Sequence, residues 1–408
     1  MIEFCIILII CWQNKSFPLL SISMANLTLK PLLKPSGEDK FLVGILSILI
    51  FLNLIYSVLP FRPVIYRLLI LAICGYLVLI RKRNFFLPEK IVIVFLIVNF
   101  IYFLIAGVSH RLGTTTIGNA LVALFPLLVF SYLTGKGCFT DKFINILFVG
   151  LLVGSIVYYL DYQVHFMARV SREENLTINA SSVFLFLMPL LFYVKKRYIS
   201  WIGIVICMFF IFSAVKRGNI VASVGPLLLF CYAQIKRKKS AGSRLLIVLA
   251  VLASLYLLYR FAISSSYFMN RFEDTLEGDS SGRDVIYGNA YQIWVNSSFF
   301  QFLFGHGFDA TLKLIGKHAH SDWLELLVDY GVLGASIYLA LFVSLALQLK
   351  HCRTFEDKCV LLGVLYIWFV KSVVSMAYFE PWMVLLMISL GIMLGHSKKS
   401  FFALDSSK

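Results

Sequence analysis

The chain has 408 residues, 60% of them hydrophobic and only 14% charged, with a net charge of +16. A mean hydropathy of +0.86 excludes a soluble globular enzyme, in which about 25% of residues would be charged. Apolar runs of about 18 residues or more recur, each enough to cross a hydrocarbon core of roughly 30 Å. A transmembrane barrel needs short alternating segments instead, so the pattern predicts an all-α, polytopic helical membrane protein.

Taken in order, hydropathy predicts about twelve spans, at 41–60, 64–80, 91–108, 117–134, 143–160, 177–194, 199–215, 219–235, 245–262, 322–348, 359–377 and 381–396. Residues 1–40 form a cytoplasmic lead-in. Within it Ile6 to Trp12 is too short to span and follows no basic segment, unlike a signal peptide. Residues 1–23 carry little signal, and Met24 is an alternative start. Nine spans fill 41–262, a long loop fills 263–321, three spans fill 322–396, and 397–408 is a tail.

Basic connections alternate with poorer ones. Arg81-Lys82-Arg83, Lys136 to Lys142, Lys195-Lys196-Arg197, Lys236 to Lys239, Lys350 to Lys358 and Lys398-Lys399 fall on one side. The positive-inside rule puts that side, and both termini, in the cytoplasm. The net charge is mostly this topology signal, so nucleic acid is not an expected partner. Eight cysteines are scattered, with none in 263–321 and no C-x-x-C pair, which argues against a disulfide framework or a zinc site. No duplicated six-helix halves are visible, which weakens a transporter reading.

The loop 263–321 is the one long connection, and long loops between tightly joined helices are usually functional. Its stretch from Arg283 to Phe300 has helical apolar spacing and is predicted to lie at the membrane interface. Three elements on this side carry candidate chemistry. Lys216-Arg217-Gly218-Asn219 makes a tight turn between two spans, with Asn219 placed to cap the next helix. Its two cations suit a lipid-linked diphosphate, because arginine binds phosphate oxygens with a planar fork; the bland alternative is a basic hairpin tip. Ser281-Gly282-Arg283-Asp284 aims a guanidinium and helix-start N–H groups one way, which favours an anion, unless Asp284 simply caps and Arg283 is solvated. His320 stands just before the tenth span, where an imidazole can serve as a general base near neutral pH. His318 and His306 are weaker candidates. Asp322-x-x-Glu325 resembles a capping box, which would account for both acids. No D-x-D, Walker loop, G-x-S-x-G or H-E-x-x-H occurs, so no metal or nucleotide is expected and no cofactor is assigned.

The pattern His320-Ser321, nine residues, Gly331-Val332-Leu333-Gly334 resembles the H-[N/S/G]-x9-G-x-x-G signature of the O-antigen ligase and O-antigen polymerase superfamily. Twelve spans, a large loop between the ninth and tenth, Arg217 after the seventh, and the S-G-R element at Arg283 are similar too. The likeness covers roughly Asn179 to Ala340. It implies a GT-C type, inverting membrane glycosyltransferase of the bacterial inner membrane, with its site on the periplasmic face. The implied donor is an undecaprenyl-diphosphate-linked oligosaccharide, and the acceptor is a carrier-linked saccharide or lipid A core. By the same resemblance Arg217, Arg283 and Lys216 hold the diphosphate and His320 activates the acceptor hydroxyl. Arg169, Arg172, His318 and Glu325 make secondary sugar or phosphate contacts. A chain-length regulator is a further candidate partner. The expected class is polymerase first and ligase second, with a flippase for the same lipid-linked sugars as the remote alternative.

Overall fold

The structure, a computed structural model, describes residues 35–59, 62–81, 85–106, 111–170, 179–214, 216–237, 282–352 and 354–405, with positions 242, 256 and 260. Among the described residues there are fourteen α-helices and no strand. They are α1 (Gly37–Leu54), α2 (Pro63–Tyr76), α3 (Leu87–Ala106), α4 (Arg111–Gly135), α5 (Asp141–Val170), α6 (Ser182–Leu187), α7 (Arg197–Ser213), α8 (Arg217–Lys236), α9 (Arg283–Val295), α10 (Phe299–Phe304), α11 (Ala310–Ile315), α12 (Asp322–Leu347), α13 (Phe355–Val374) and α14 (Met383–Asp405). Helices occupy eleven of the predicted spans, and 245–262, apart from positions 256 and 260, lies outside the described residues. Among the described residues seven helices are long and apolar enough to cross a membrane.

Local signals set the helix starts. Ser36 and Asp39 close a capping box at α1, Pro63 opens α2 at a position that needs no N–H, and the Thr354 side chain accepts from Asp357 N at α13. The centre of the bundle is α14 packed along α4. A Cβ on Gly391 would meet Phe130 Cβ at 2.6 Å, and one on Gly395 would meet Thr134 Cβ at 2.4 Å. Small residues are what allow such close approach in a membrane bundle, where dispersion rather than water exclusion drives packing.

One end of the bundle is tied by ion pairs: Lys136 with Asp39 at 3.0 Å, Arg237 with Glu356 at 2.8 Å, Lys398 with Glu89 at 2.7 Å and His396 with Asp357 at 2.9 Å. Several of these cations come from the basic connections named above, so part of that charge is neutralised internally. At the other end the stretch Arg283 to Phe300, predicted as one helix, is two. Polar Asn296, Ser297 and Ser298 interrupt it, and Ser298 starts α10 with a capping box to Gln301.

Candidate active site

The G-x-x-G half of the signature is a backbone device. Gly331 sits inside α12 at φ 64°, ψ −161°, a conformation that a residue with a Cβ can scarcely adopt. The break exposes the carbonyls of Val328 and Asp329. They accept instead from the N–H groups of His306 at 2.8 Å and Gly307 at 3.0 Å. The FGHGF segment can reach them only because two glycines meet: a Cβ on Gly331 would lie 2.6 Å from Gly305 N, and one on Gly305 would lie 2.3 Å from Asp329 C. Gly334 then leaves room for Tyr330, whose Cβ would be 2.3 Å away from any added methyl. Asp329 completes the joint by accepting from Thr311 N and Oγ1, both at 2.8 Å.

The kinked helix presents its first turn to the loop that carries the histidines. The capping box predicted for Asp322 and Glu325 is not formed. Ser321 is the N-cap, without a side-chain cap bond. Both acids are buried and reach further than their own helix. Glu325 is 1% exposed, and its carboxylate accepts from Ala319 N at 2.5 Å and lies 3.3 Å from His318 Nδ1. Asp322 accepts from Ala377 N at 2.9 Å and from the Tyr338 hydroxyl at 2.6 Å, tying the turn between α13 and α14 to α12. A buried carboxylate demands such partners, and here tertiary contacts supply them.

His320 itself has φ 54°, a left-handed conformation that is uncommon for a residue with a side chain. It is held from both sides: Glu325 fixes the preceding N–H, and the Tyr287 hydroxyl donates to His320 O at 3.2 Å. Such strain persists where the surroundings over-determine it, as at functional sites. Partial burial, then the positive charge of Arg283, holds the His320 imidazole below the ordinary histidine pKa, against an opposing pull from Glu325. His320 is thus neutral near pH 7, with a ring nitrogen free to accept a proton. His318 goes the other way, because its contact with Glu325 raises its pKa.

His320 and His318 line a cavity of about 380 Å³ together with Lys216, Glu380, Asn119, Thr116, Leu312, Ser375, Met376 and Phe379. It lies where the starts of α8 and α12 meet the turn between α13 and α14. Positive helix ends favour an anion there. Lys216 faces the cavity but is crowded by protein. Loss of water, then Lys371, brings its amine down to about 7, with Glu380 opposing. Arg283 donates to Val374 O at 2.9 Å, at the last turn of α13, so it is anchored rather than solvated.

Of the residues singled out from sequence, the structure brings Lys216, His318 and His320 to one cavity, with Arg283 and Glu325 beside it. Arg217 begins α8, next to Lys216. Arg169 lies in α5, and neither its side chain nor Arg172 is among the described residues. Asn219 does not cap α8. It is buried within the first turn, donating to Ser181 Oγ at 2.7 Å and Ser182 Oγ at 3.2 Å. The sequence reading missed Glu380. This carboxylate pairs at 3.0 Å with Lys371, which is fully buried and also reaches Ser182 Oγ at 3.3 Å. The available signal was a lysine near the end of an apolar span with a glutamate nine residues on, since an intramembrane cation calls for a partner.

A search of curated proteins gave no match. A family model described as O-antigen ligase matches residues 202–339, a stretch that takes in Arg217, Arg283, His320 and both motif glycines. With the helical membrane architecture, this match supports placing the chain in the O-antigen ligase and O-antigen polymerase superfamily.

Proposed function

We propose that the chain is a bacterial surface-polysaccharide glycosyltransferase of the O-antigen polymerase type. It takes an oligosaccharide from an undecaprenyl-diphosphate-linked donor and adds it to a carrier-linked acceptor sugar at the periplasmic face of the inner membrane. The observation that carries this reading is a neutral, conformationally restrained His320 on the same cavity as Lys216, with Arg283 close enough to both to act on their charge.

Lys216 and Arg283, with Arg217 at the start of α8, receive the donor diphosphate and stabilise the negative charge that grows as the bond from C1 to the phosphate oxygen breaks. His320 takes the proton of the acceptor hydroxyl as its oxygen forms the new bond to C1. Attack opposite the leaving group inverts the anomeric centre. Glu325 positions the histidine loop, and Arg169 and Arg172 make secondary contacts with sugar or phosphate. The leaving carrier diphosphate carries the electron pair away, and the proton passes from His320 to water.

A second reading, transfer of the finished chain to lipid A core, is favoured by the description of the matching family as O-antigen ligase. The polysaccharide pattern of a strain lacking the gene separates the two. Single-repeat caps on lipid A core mean polymerase, and bare core with free carrier-linked polymer means ligase. His320→Ala and Arg217→Ala are each expected to reproduce the deletion pattern at normal protein level. Normal long-chain polysaccharide in both variants sinks the assignment.

A further inference from the structure

The proposed reaction leaves one part of the cavity wall unused. Asn119 of α4 lines the cavity, and its Oδ1 accepts from Arg67 Nη1 at 2.8 Å. A guanidinium can only donate, so this bond fixes the orientation of the amide. The acceptor end faces Arg67, and the two N–H donors are left for the cavity side. Among the described residues Arg67 has no carboxylate partner, and its Nε is buried without any hydrogen bond. An arginine in a membrane helix is rare and marks function by default, because it is tolerated only against protein, water or a counter-charge.

Two further observations say what the counter-charge is. Arg67 lies four residues into α2, about 6 Å along the helix from its start and so near one end of a span. Its helix faces outward: Val64, Ile65, Leu68 and Leu69 are all exposed, so a lipid-borne group can approach from the bilayer. The pair is also electrostatically separate from the cations of the first wall. Lys216, Lys371, Arg283 and Glu380 act on one another, whereas the titratable groups close to Arg67 are Tyr56 and Tyr158.

We propose that Arg67 and Asn119 form a second anion subsite, which receives the phosphoryl group of the lipid-linked acceptor while the first wall holds the donor. This rests on the glycosyltransferase reading above, since a transfer between two lipid-anchored substrates brings two phosphorylated headgroups to one cavity. The donors suit phosphate oxygens: a charged fork behind a neutral amide that makes the first contact.

The test titrates purified full-length protein in lipid nanodiscs with farnesyl diphosphate, farnesyl monophosphate and farnesol by calorimetry. The wild-type protein is expected to bind two diphosphates and no farnesol at either anion site. Asn119→Asp gives Arg67 an internal carboxylate and removes the N–H donors, so it keeps the wall folded while filling the subsite. One of the two binding events is expected to vanish. Arg67→Lys keeps the charge but loses the fork, and is expected to weaken that event about tenfold. Arg283→Ala is expected to remove the other event. Equal binding by wild-type and Asn119→Asp protein overturns the subsite, as does a wild-type protein that binds no diphosphate. If Arg283→Ala keeps both events while Asn119→Asp loses one, the donor assignment fails and the subsite stands. Preference for diphosphate at the Arg67 site identifies a carrier-linked acceptor. Equal uptake of monophosphate identifies phosphorylated lipid A core.

Discussion

Replacing Gly331 by alanine places a Cβ 2.5 Å from Leu303 C and 2.6 Å from Gly305 N, at φ 64°. The backbone conformation alone costs about 1–3 kcal/mol for a non-glycine residue. Forced separation of the two chains adds about 1–3 kcal/mol of overpacking, and loss of the bonds from His306 N and Gly307 N adds about 1 kcal/mol each. The expected destabilisation is therefore about 4–8 kcal/mol. With an unfolding entropy near 2 cal/mol/K per residue, 1 kcal/mol shifts Tm of a chain this long by about 1 °C. Gly331→Ala is thus expected to melt about 5–9 °C lower in detergent and to lose polymer formation in cells. Gly288→Ala is the control: it lies in α9 with open space around its Cβ, and its Tm should stay level or rise slightly. The measurement is thermal unfolding followed by size-exclusion fluorescence. A Gly331→Ala protein that melts within 1 °C of wild type and still makes long chains would refute the view that the kink builds the site.

Three further outcomes are expected. Glu325→Gln removes the charge that raises the pKa of His318, so His318 should titrate closer to its ordinary range by NMR. The stability contributed by the pair is fully present below the unfolded histidine pKa and is lost as pH rises through the raised folded value, so the variant's Tm deficit should be larger at pH 6 than at pH 8.5; equal deficits at both count against the contact. Lys216, with a pKa of about 7, is a cation below neutrality and loses its proton above it, so pyrophosphate affinity should fall between pH 6.5 and 8.5 by calorimetry. Lys216→Arg should flatten that profile, and a profile equally steep in the variant would assign the titration to another group. Asp322→Asn keeps one acceptor for Ala377 N or the Tyr338 hydroxyl but not good geometry for both, and should cost about 1–3 kcal/mol, read as a lower Tm; an unchanged Tm would mean that the carboxylate does not hold the turn between α13 and α14.

Hydropathy makes the helical class legible because each span is apolar along its whole length, a signal that no tertiary contact is needed to read. Lys216, Arg283 and His320 are recognisable because their types stand out on a side that should be poor in cations. Their meeting at one cavity is not legible, since it depends on the turn after α13 folding back over the start of α12. Asp322 and Glu325 were misread for the same reason. Local spacing suggests that acids in a first turn serve their own helix, whereas Glu325 reaches Ala319 and His318, and Asp322 reaches Ala377. The Lys371–Glu380 pair bridges a helix end and a turn, which no periodicity reports. The break between α9 and α10 was masked by continuous apolar spacing on both sides of the Ser298 box.

Because Gly331 answers to backbone approach and Gly334 to the Tyr330 side chain packed on it, neither places a demand on the sugar transferred in the proposed reaction. A lineage can keep this joint unchanged while its substrates diverge, and the signature then marks a shared chassis rather than a shared product. Freedom to diverge lies instead with the apolar cavity side chains Leu312, Met376 and Phe379. They stand on two different parts of the wall: Leu312 in α11, and Met376 and Phe379 in the turn before α14. An effort to retarget the enzyme to a different glycan would vary those three positions together and leave the glycines untouched.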